Sequence, residues 1–101
     1  MRFLVIDRGT TAETEPGFDP DVFLKARDWT VKKMEEGKIA MAYALSGEHA
    51  SCIVFDVDSL EELDDLLLEY PLSPYSVFEI YGLSDIARSF EKAADTYKKA
   101  A

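Results

Sequence analysis

The chain has 101 residues, 48% of them hydrophobic, with a formal net charge of −9 and a pI near 4.4. So acidic a chain lacks the basic footprint that nucleic-acid binding requires, and its single cysteine, Cys52, excludes an internal disulfide and any CxxC metal or redox motif. The opening MRFLVI is too short for a signal h-region or a membrane span, so a cytoplasmic protein with no membrane segment is expected.

The size suits one domain over residues 1–101, and a domain this small buries a limited share of its surface, so self-association is expected. Residues 2–7, RFLVID, are rich in strand formers and predict a first strand. Residues 8–18, RGTTAETEPGF, predict a long loop. Asp19-Pro20-Asp21 opens a helix over 20–36, with Asp19 as N-cap. Phe23, Ala26, Thr30 and Met34 recur at helical spacing, and Gly37 ends the run.

Residues 39–46, IAMAYALS, alternate large and small. They predict a second strand with a bulky face (Ile39, Met41, Tyr43, Leu45) turned to the helices and a bare face of alanines. Gly47-Glu48-His49 is a hairpin turn, and SCIVFDV over 51–57 is the third strand. Ser59 and Glu62 form a capping box for a helix over 59–69 with a Leu60, Leu63, Leu66, Leu67 stripe. Pro71 and Pro74 stop that helix and extend the chain into a fourth strand over 75–82. Ser84 caps a last helix over 84–99, whose Ile86, Phe90, Ala93, Ala94 and Tyr97 share one face and need burial.

The order β-α-β-β-α-β plus a helix predicts an α+β, ferredoxin-like antiparallel sheet with an extra C-terminal helix. All four strands are apolar on both faces, while the helices cover one face. The other face is expected to be buried against a second copy. Ten acids and no Lys or Arg lie between Lys38 and Arg88, so the acidic middle is expected to find cations on the first or last helix.

The run GEHASCIVFDVDSLEELDDLLLEYPLSPYSVFEIYGL resembles the C-terminal half of the muconolactone isomerase family. The resemblance rests on Gly47 and Ala50, Val54 to Val57, and Pro71-Leu72-Ser73-Pro74-Tyr75 with Glu79 four residues on. MRFLV and EEGKI add to it. It implies a dimeric α/β barrel, self-association as a homodimer or a larger ring of dimers, and proton transfer within a small unsaturated lactone, without metal or cofactor. Where the family carries arginines on the second strand, this chain has Ala40 and Ala44. A carboxylate substrate needs cations at such places, so a changed, largely apolar small-molecule ligand is expected.

Glu79 is the candidate catalytic acid or base. Tyr75, Val77, Glu79 and Tyr81 are expected on one face of the fourth strand, inside the barrel, where desolvation would raise the carboxyl pKa. Tyr75, Tyr81, Ala40 and Ala44 are the candidate ligand-pocket residues. His49 reads as an exposed turn residue, and a lone histidine makes no metal site. Two functions stand side by side: a cofactor-free isomerase or cyclase using Glu79, and a non-catalytic small-molecule-binding or assembly module of the same fold.

Overall fold

The structure is a computed structural model and describes Met1–Ala100. In chain order it has β1 (Arg2–Gly9), α1 (Val22–Glu35), β2 (Ile39–Ala44), β3 (Ala50–Asp56), α2 (Leu60–Glu69), β4 (Ser76–Leu83) and α3 (Ile86–Ala100). The strands form one antiparallel sheet in the order β2-β3-β1-β4. This is the expected ferredoxin-like arrangement.

Strand alternation decides what faces the helices. On β1, Phe3, Val5 and Asp7 are buried, while Leu4, Ile6 and Arg8 point to the other face. Their partners Phe55 and Ile53 on β3 join the same core. Leu63, Leu66 and Leu67 of α2 close over them. Each such apolar side chain contributes roughly 1.5–3 kcal/mol relative to exposure. Trp29 of α1 packs on this cluster and lies 5.3 Å from the Tyr70 ring.

The capping box forms at Ser59, whose Oγ accepts the Glu62 N–H at 3.1 Å; the Glu62 carboxylate takes the N–H of Asp58. Several boundaries differ from the sequence expectation. α1 starts at Val22, because Asp19 and Pro20 form a turn in which Asp19 Oδ1 accepts the Asp21 N–H at 3.0 Å. Asp85, not Ser84, caps α3, taking the Arg88 N–H at 2.7 Å. The two prolines do stop α2, but Ser73–Tyr75 is a 3₁₀ turn before β4 begins. β1 runs on to Gly9, and the loop after it holds a 3₁₀ turn, Thr11–Thr14.

A register shift on β2 is the main correction. Ile39 pairs with Phe55, but the next pair is Met41 with Val54, so Ala40 is an extra residue in the ladder. The parity reverses there. Ala42 and Ala44 turn toward the helices, opposite Ile53 and Ser51, and Met41 and Tyr43 turn to the open face. Tyr43 is 66% exposed rather than core.

The acidic middle finds its cations elsewhere than expected. Glu48 and Glu79 pair with Arg8 of β1, Asp56 with Arg2, and Glu62 with Lys38. None of these cations lies on α1 or α3.

Candidate active site

A cavity of about 550 Å³ opens between α1 and the β2 edge of the sheet. It exists because small residues stand where the layers meet: Ala26 on α1, Ala42 and Ala44 on β2. Phe23, Val31 and Met34 of α1 make its apolar rim. Its polar end gathers Asp7, Glu13, His49, Ser51 and Tyr70.

Asp7 takes the third inward position of β1, after Phe3 and Val5, and is 5% exposed. Its Oδ2 accepts the Tyr70 hydroxyl at 2.7 Å. Its Oδ1 is buried and has no hydrogen-bond partner. An unmet buried acceptor costs roughly 1–3 kcal/mol, so a group with a free donor is well suited to this place. Tyr70 is held by the end of α2, where its N–H bonds to Leu66 O at 3.1 Å and Pro71 stops the helix. Burial, then the hydrogen bond to Asp7 and the charge of Asp7, push the Tyr70 phenol well above its ordinary range. Tyr70 is therefore a fixed, neutral donor.

The rim is closed by a pair. Thr10 caps the 3₁₀ turn that carries Glu13: its Oγ1 accepts the Ala12 N–H at 3.2 Å and donates to Tyr75 O at 2.8 Å. The Glu13 carboxylate meets His49 Nε2. The His49 carbonyl accepts the Gly9 N–H at 3.0 Å, and the imidazole lies so close over Gly9 that a Cβ there would overlap it. Phe23 stands edge-on to the same ring at 6.2 Å.

Of the residues singled out from sequence, Ala44 lies on the cavity wall. Ala40 sits at the bulge, outside the cavity lining. Tyr75 is part of the 3₁₀ turn, edge-on to Phe18 at 4.9 Å, and packs against Ala26, Tyr70 and Leu72 on the helix side. It does not share a face with Glu79, because β4 starts one residue later.

Glu79 and Tyr81 face away from the helices, paired with Ile6 and Leu4 of β1. Arg8 Nε donates to Glu79 Oε1 at 2.8 Å, and the Tyr81 hydroxyl donates to Oε2 at 2.7 Å. The Tyr81 hydrogen bond and the Arg8 charge hold the carboxyl below its ordinary range. The expected raised pKa is thus reversed: both oxygens are satisfied beside a cation, which favours the charged form. Sequence reasoning missed Asp7, Tyr70 and Glu13, and left His49 as a bare turn residue. The signal for Asp7 was an acid in the inward register of β1.

A sequence model of the muconolactone delta-isomerase family matches residues 1–87. The muconolactone delta-isomerase of Rhodococcus opacus is 25% identical over 79 residues, covering 78% of this chain and 85% of the relative. That of Cupriavidus pinatubonensis is 33% identical over 64 residues, 63% of this chain and 70% of the relative. That of Pseudomonas putida is 40% identical over 48 residues, 48% of this chain and 50% of the relative. A crystal structure of muconolactone isomerase superposes with a TM-score of 0.69 at 28% identity, over 84% of this chain and 90% of that one. The 5-chloro-2-hydroxyhydroquinone dehydrochlorinase of Burkholderia phenoliruptrix, solved with 2,5-dihydroxybenzoquinone, shares the fold at a TM-score of 0.54 and 13% identity, over 87% of this chain and 98% of that one. With the family match spanning most of the sequence and the fold following it, the chain belongs to the muconolactone delta-isomerase family.

Proposed function

We propose that this protein is a cofactor-free isomerase or cyclase that moves a proton within a small, largely apolar cyclic substrate held between α1 and the sheet. The observation that carries the reading is the Asp7 carboxylate: buried, anchored on one oxygen by Tyr70, and free on the other. Its placement beside an apolar cavity suits a general base. The free Oδ1 takes a proton from a carbon next to a carbonyl or lactone group. The C–H electron pair becomes the new double bond of an enolate. The protonated Asp7 then returns the proton to another carbon of the conjugated system, and the double bond has moved. Tyr70 positions the carboxylate and does not itself exchange a proton. Muconolactone is the substrate named for the relatives; Asp7 and Glu13 at the polar end, with Ala42 and Ala44 rather than cations on the β2 wall, favour a substrate with less negative charge.

The test is Asp7→Asn, which keeps the shape and removes the base. Turnover of muconolactone, or of neutral unsaturated lactones and cyclic enones, falls roughly a hundredfold or more while binding changes little. Incorporation of solvent deuterium into the product, followed by NMR, falls with it. Full turnover by the variant overturns the assignment.

The Arg8–Glu79–Tyr81 group supports a second reading. In a face-to-face homodimer of single-domain subunits this group would be enclosed, with Glu79 as the acid or base and Tyr81 beside it. Loss of turnover in Glu79→Gln but not in Asp7→Asn selects it. A binding or assembly module of the same fold would retain ligand affinity in both variants and show no turnover. No helix among the described residues is long and apolar enough to cross a membrane; a cytoplasmic location and a partner that is a second copy complete the proposal.

A further inference from the structure

The register of β1 with β3 sets Asp7 opposite Ser51 and Arg8 opposite Ala50. Gly9 with His49 comes next, joined by the hydrogen bond from the Gly9 N–H to the His49 carbonyl. Strand alternation puts Gly9 on the same inward face as Asp7, two residues or about 7 Å further along β1. With no side chain on Gly9, the His49 ring leans across into the space a Cβ would fill. The glycine thus lets a residue of the hairpin reach the cavity wall beside Asp7.

The ring is oriented as well as placed. Its Cδ2–Nε2 edge lies against Gly9, and Nε2 meets the Glu13 carboxylate. Nδ1 is the vertex opposite that edge, turned away from β1, and it has no hydrogen-bond partner among the described residues. The exposures divide the roles. The Glu13 side chain is 12% exposed and sits on a turn capped by Thr10, while the His49 side chain is 66% exposed. Glu13 orients, and the imidazole stays open to a ligand. Other donors around the cavity are committed: the Tyr70 hydroxyl to Asp7, Thr30 Oγ1 to Ala26 O at 2.8 Å, and Arg27 Nε to Asp28 at 3.0 Å. A carboxylate only accepts, so Nε2 carries the proton shared with Glu13. A second proton, on Nδ1, makes the imidazolium, whose charge Glu13 balances.

We propose that His49, as an imidazolium oriented by Glu13, hydrogen-bonds through Nδ1–H to the carbonyl oxygen of the substrate while Asp7 takes the proton from carbon. This role rests on Asp7 as the base. The C–H electron pair becomes the new C=C bond, the carbonyl π pair moves onto oxygen, and Asp7 Oδ1 holds the proton. The Nδ1–H bond then faces an enolate oxygen. When Asp7 returns the proton to another carbon, the carbonyl re-forms, and His49 keeps its own proton throughout. A charged donor stabilises the developing oxyanion more than the neutral carbonyl, which is what lowers a barrier. With a hydrogen bond at each end, the spacing from Asp7 to His49 accommodates one O=C–C–H unit. The substrate class is a small ring that carries its acidic carbon next to a carbonyl.

The test uses an enolate mimic. Asp7→Asn puts an amide where the protonated carboxyl stands after the first step, and 4-nitrophenolate is an oxyanion on a six-membered ring. Calorimetry gives its affinity for Asp7→Asn. Adding His49→Leu, at an exposed turn position, lowers that affinity about ten- to a hundredfold, while affinity for neutral nitrobenzene changes less than about twofold. Also adding Glu13→Gln, which removes the charge that His49→Leu leaves bare, does not restore phenolate binding. In the complex with His49 intact, nitrogen NMR shows a proton on both ring nitrogens. Absence of phenolate binding, equal loss of both ligands, restoration by Glu13→Gln, or a bare Nδ1 in the complex overturns the proposal. With Asp7 intact, His49→Leu lowers kcat on neutral unsaturated lactones about a hundredfold, with KM changed less than about threefold. Normal kcat in His49→Leu beside lost turnover in Asp7→Asn ends the His49 assignment and leaves Asp7 as the base. Full turnover in Asp7→Asn ends both.

Discussion

The Tyr70 hydroxyl reaches across 63 residues of sequence to donate to Asp7 Oδ2 at 2.7 Å. Tyr70→Phe removes the donor and leaves both oxygens of a buried carboxyl unmet. The expected loss is about 1–3 kcal/mol at neutral pH, read from the urea midpoint. An unchanged midpoint would mean that the pair does not form in solution.

The same pair sets a limit on the alkaline side. The folded pKa of Tyr70 is raised above the ordinary 10.0. Stability from this group is fully present below that value. It is lost as pH rises beyond about 10, because the unfolded phenol ionises while the folded one does not. Tyr70→Phe, though less stable at neutral pH, should lose less on going from pH 9 to about pH 11. Parallel alkaline slopes for the two proteins would count against the burial of the phenol.

Glu79 gives the opposite sign. Its folded pKa lies below the ordinary 4.5, through Tyr81 and Arg8. That stabilisation is present above about pH 4.5 and fades as pH falls through the lower folded value. Glu79→Gln should flatten the stability curve between about pH 5 and pH 2, and added salt should weaken the wild-type slope, since the group is exposed. A steep, unaltered acid limb in the variant would assign the effect to Glu62, which Lys38 and the Asp58 N–H shift in the same direction.

Gly9→Ala tests the rim. The new Cβ would meet the His49 ring and approach Glu13. The hairpin must shift, the His49–Glu13 contact should break, and stability should fall by about 1–3 kcal/mol. The His49 ring resonances, followed by NMR, would then lose their dependence on Glu13→Gln. A variant with wild-type stability and ring shifts would place His49 away from Gly9.

The open face of the sheet carries Met41, Tyr43, Val77 and Tyr81, 47–66% exposed. Tyr43→Lys should leave the subunit folded and shift sedimentation toward the monomer if this face joins two copies. An unchanged sedimentation coefficient would exclude the face as the principal interface.

Much of the fold was legible because it depends on local chemistry. The Ser59–Glu62 box and the helix stop at Pro71 both have short-range causes. The parity of β2 was not legible. The large-small alternation of IAMAYALS is regular, and one inserted residue at Ala40 reverses it without leaving a glycine or proline to mark the place. The candidate site suffered for a different reason. Asp7, Glu13, His49 and Tyr70 come from four separate elements, and only their pairing across the sheet and loops makes an acid next to a core strand into a buried, half-satisfied carboxylate. Glu79 was legible as a carboxylate within an apolar strand, but the Tyr81 hydroxyl bonds to it and Arg8 stands diagonally across on β1, and together they reverse the direction of the pKa.

Trp29, the single tryptophan, lies 5.3 Å from the Tyr70 ring and 6.4 Å from Phe55, with Lys33 Nζ 5.9 Å from its centre. The chain therefore carries its own optical probe packed against Tyr70, one of the residues that line the candidate site. Excitation at tyrosine wavelengths should feed tryptophan emission most strongly from Tyr70, so a ligand that displaces the Asp7–Tyr70 pair can be titrated in the unlabelled protein.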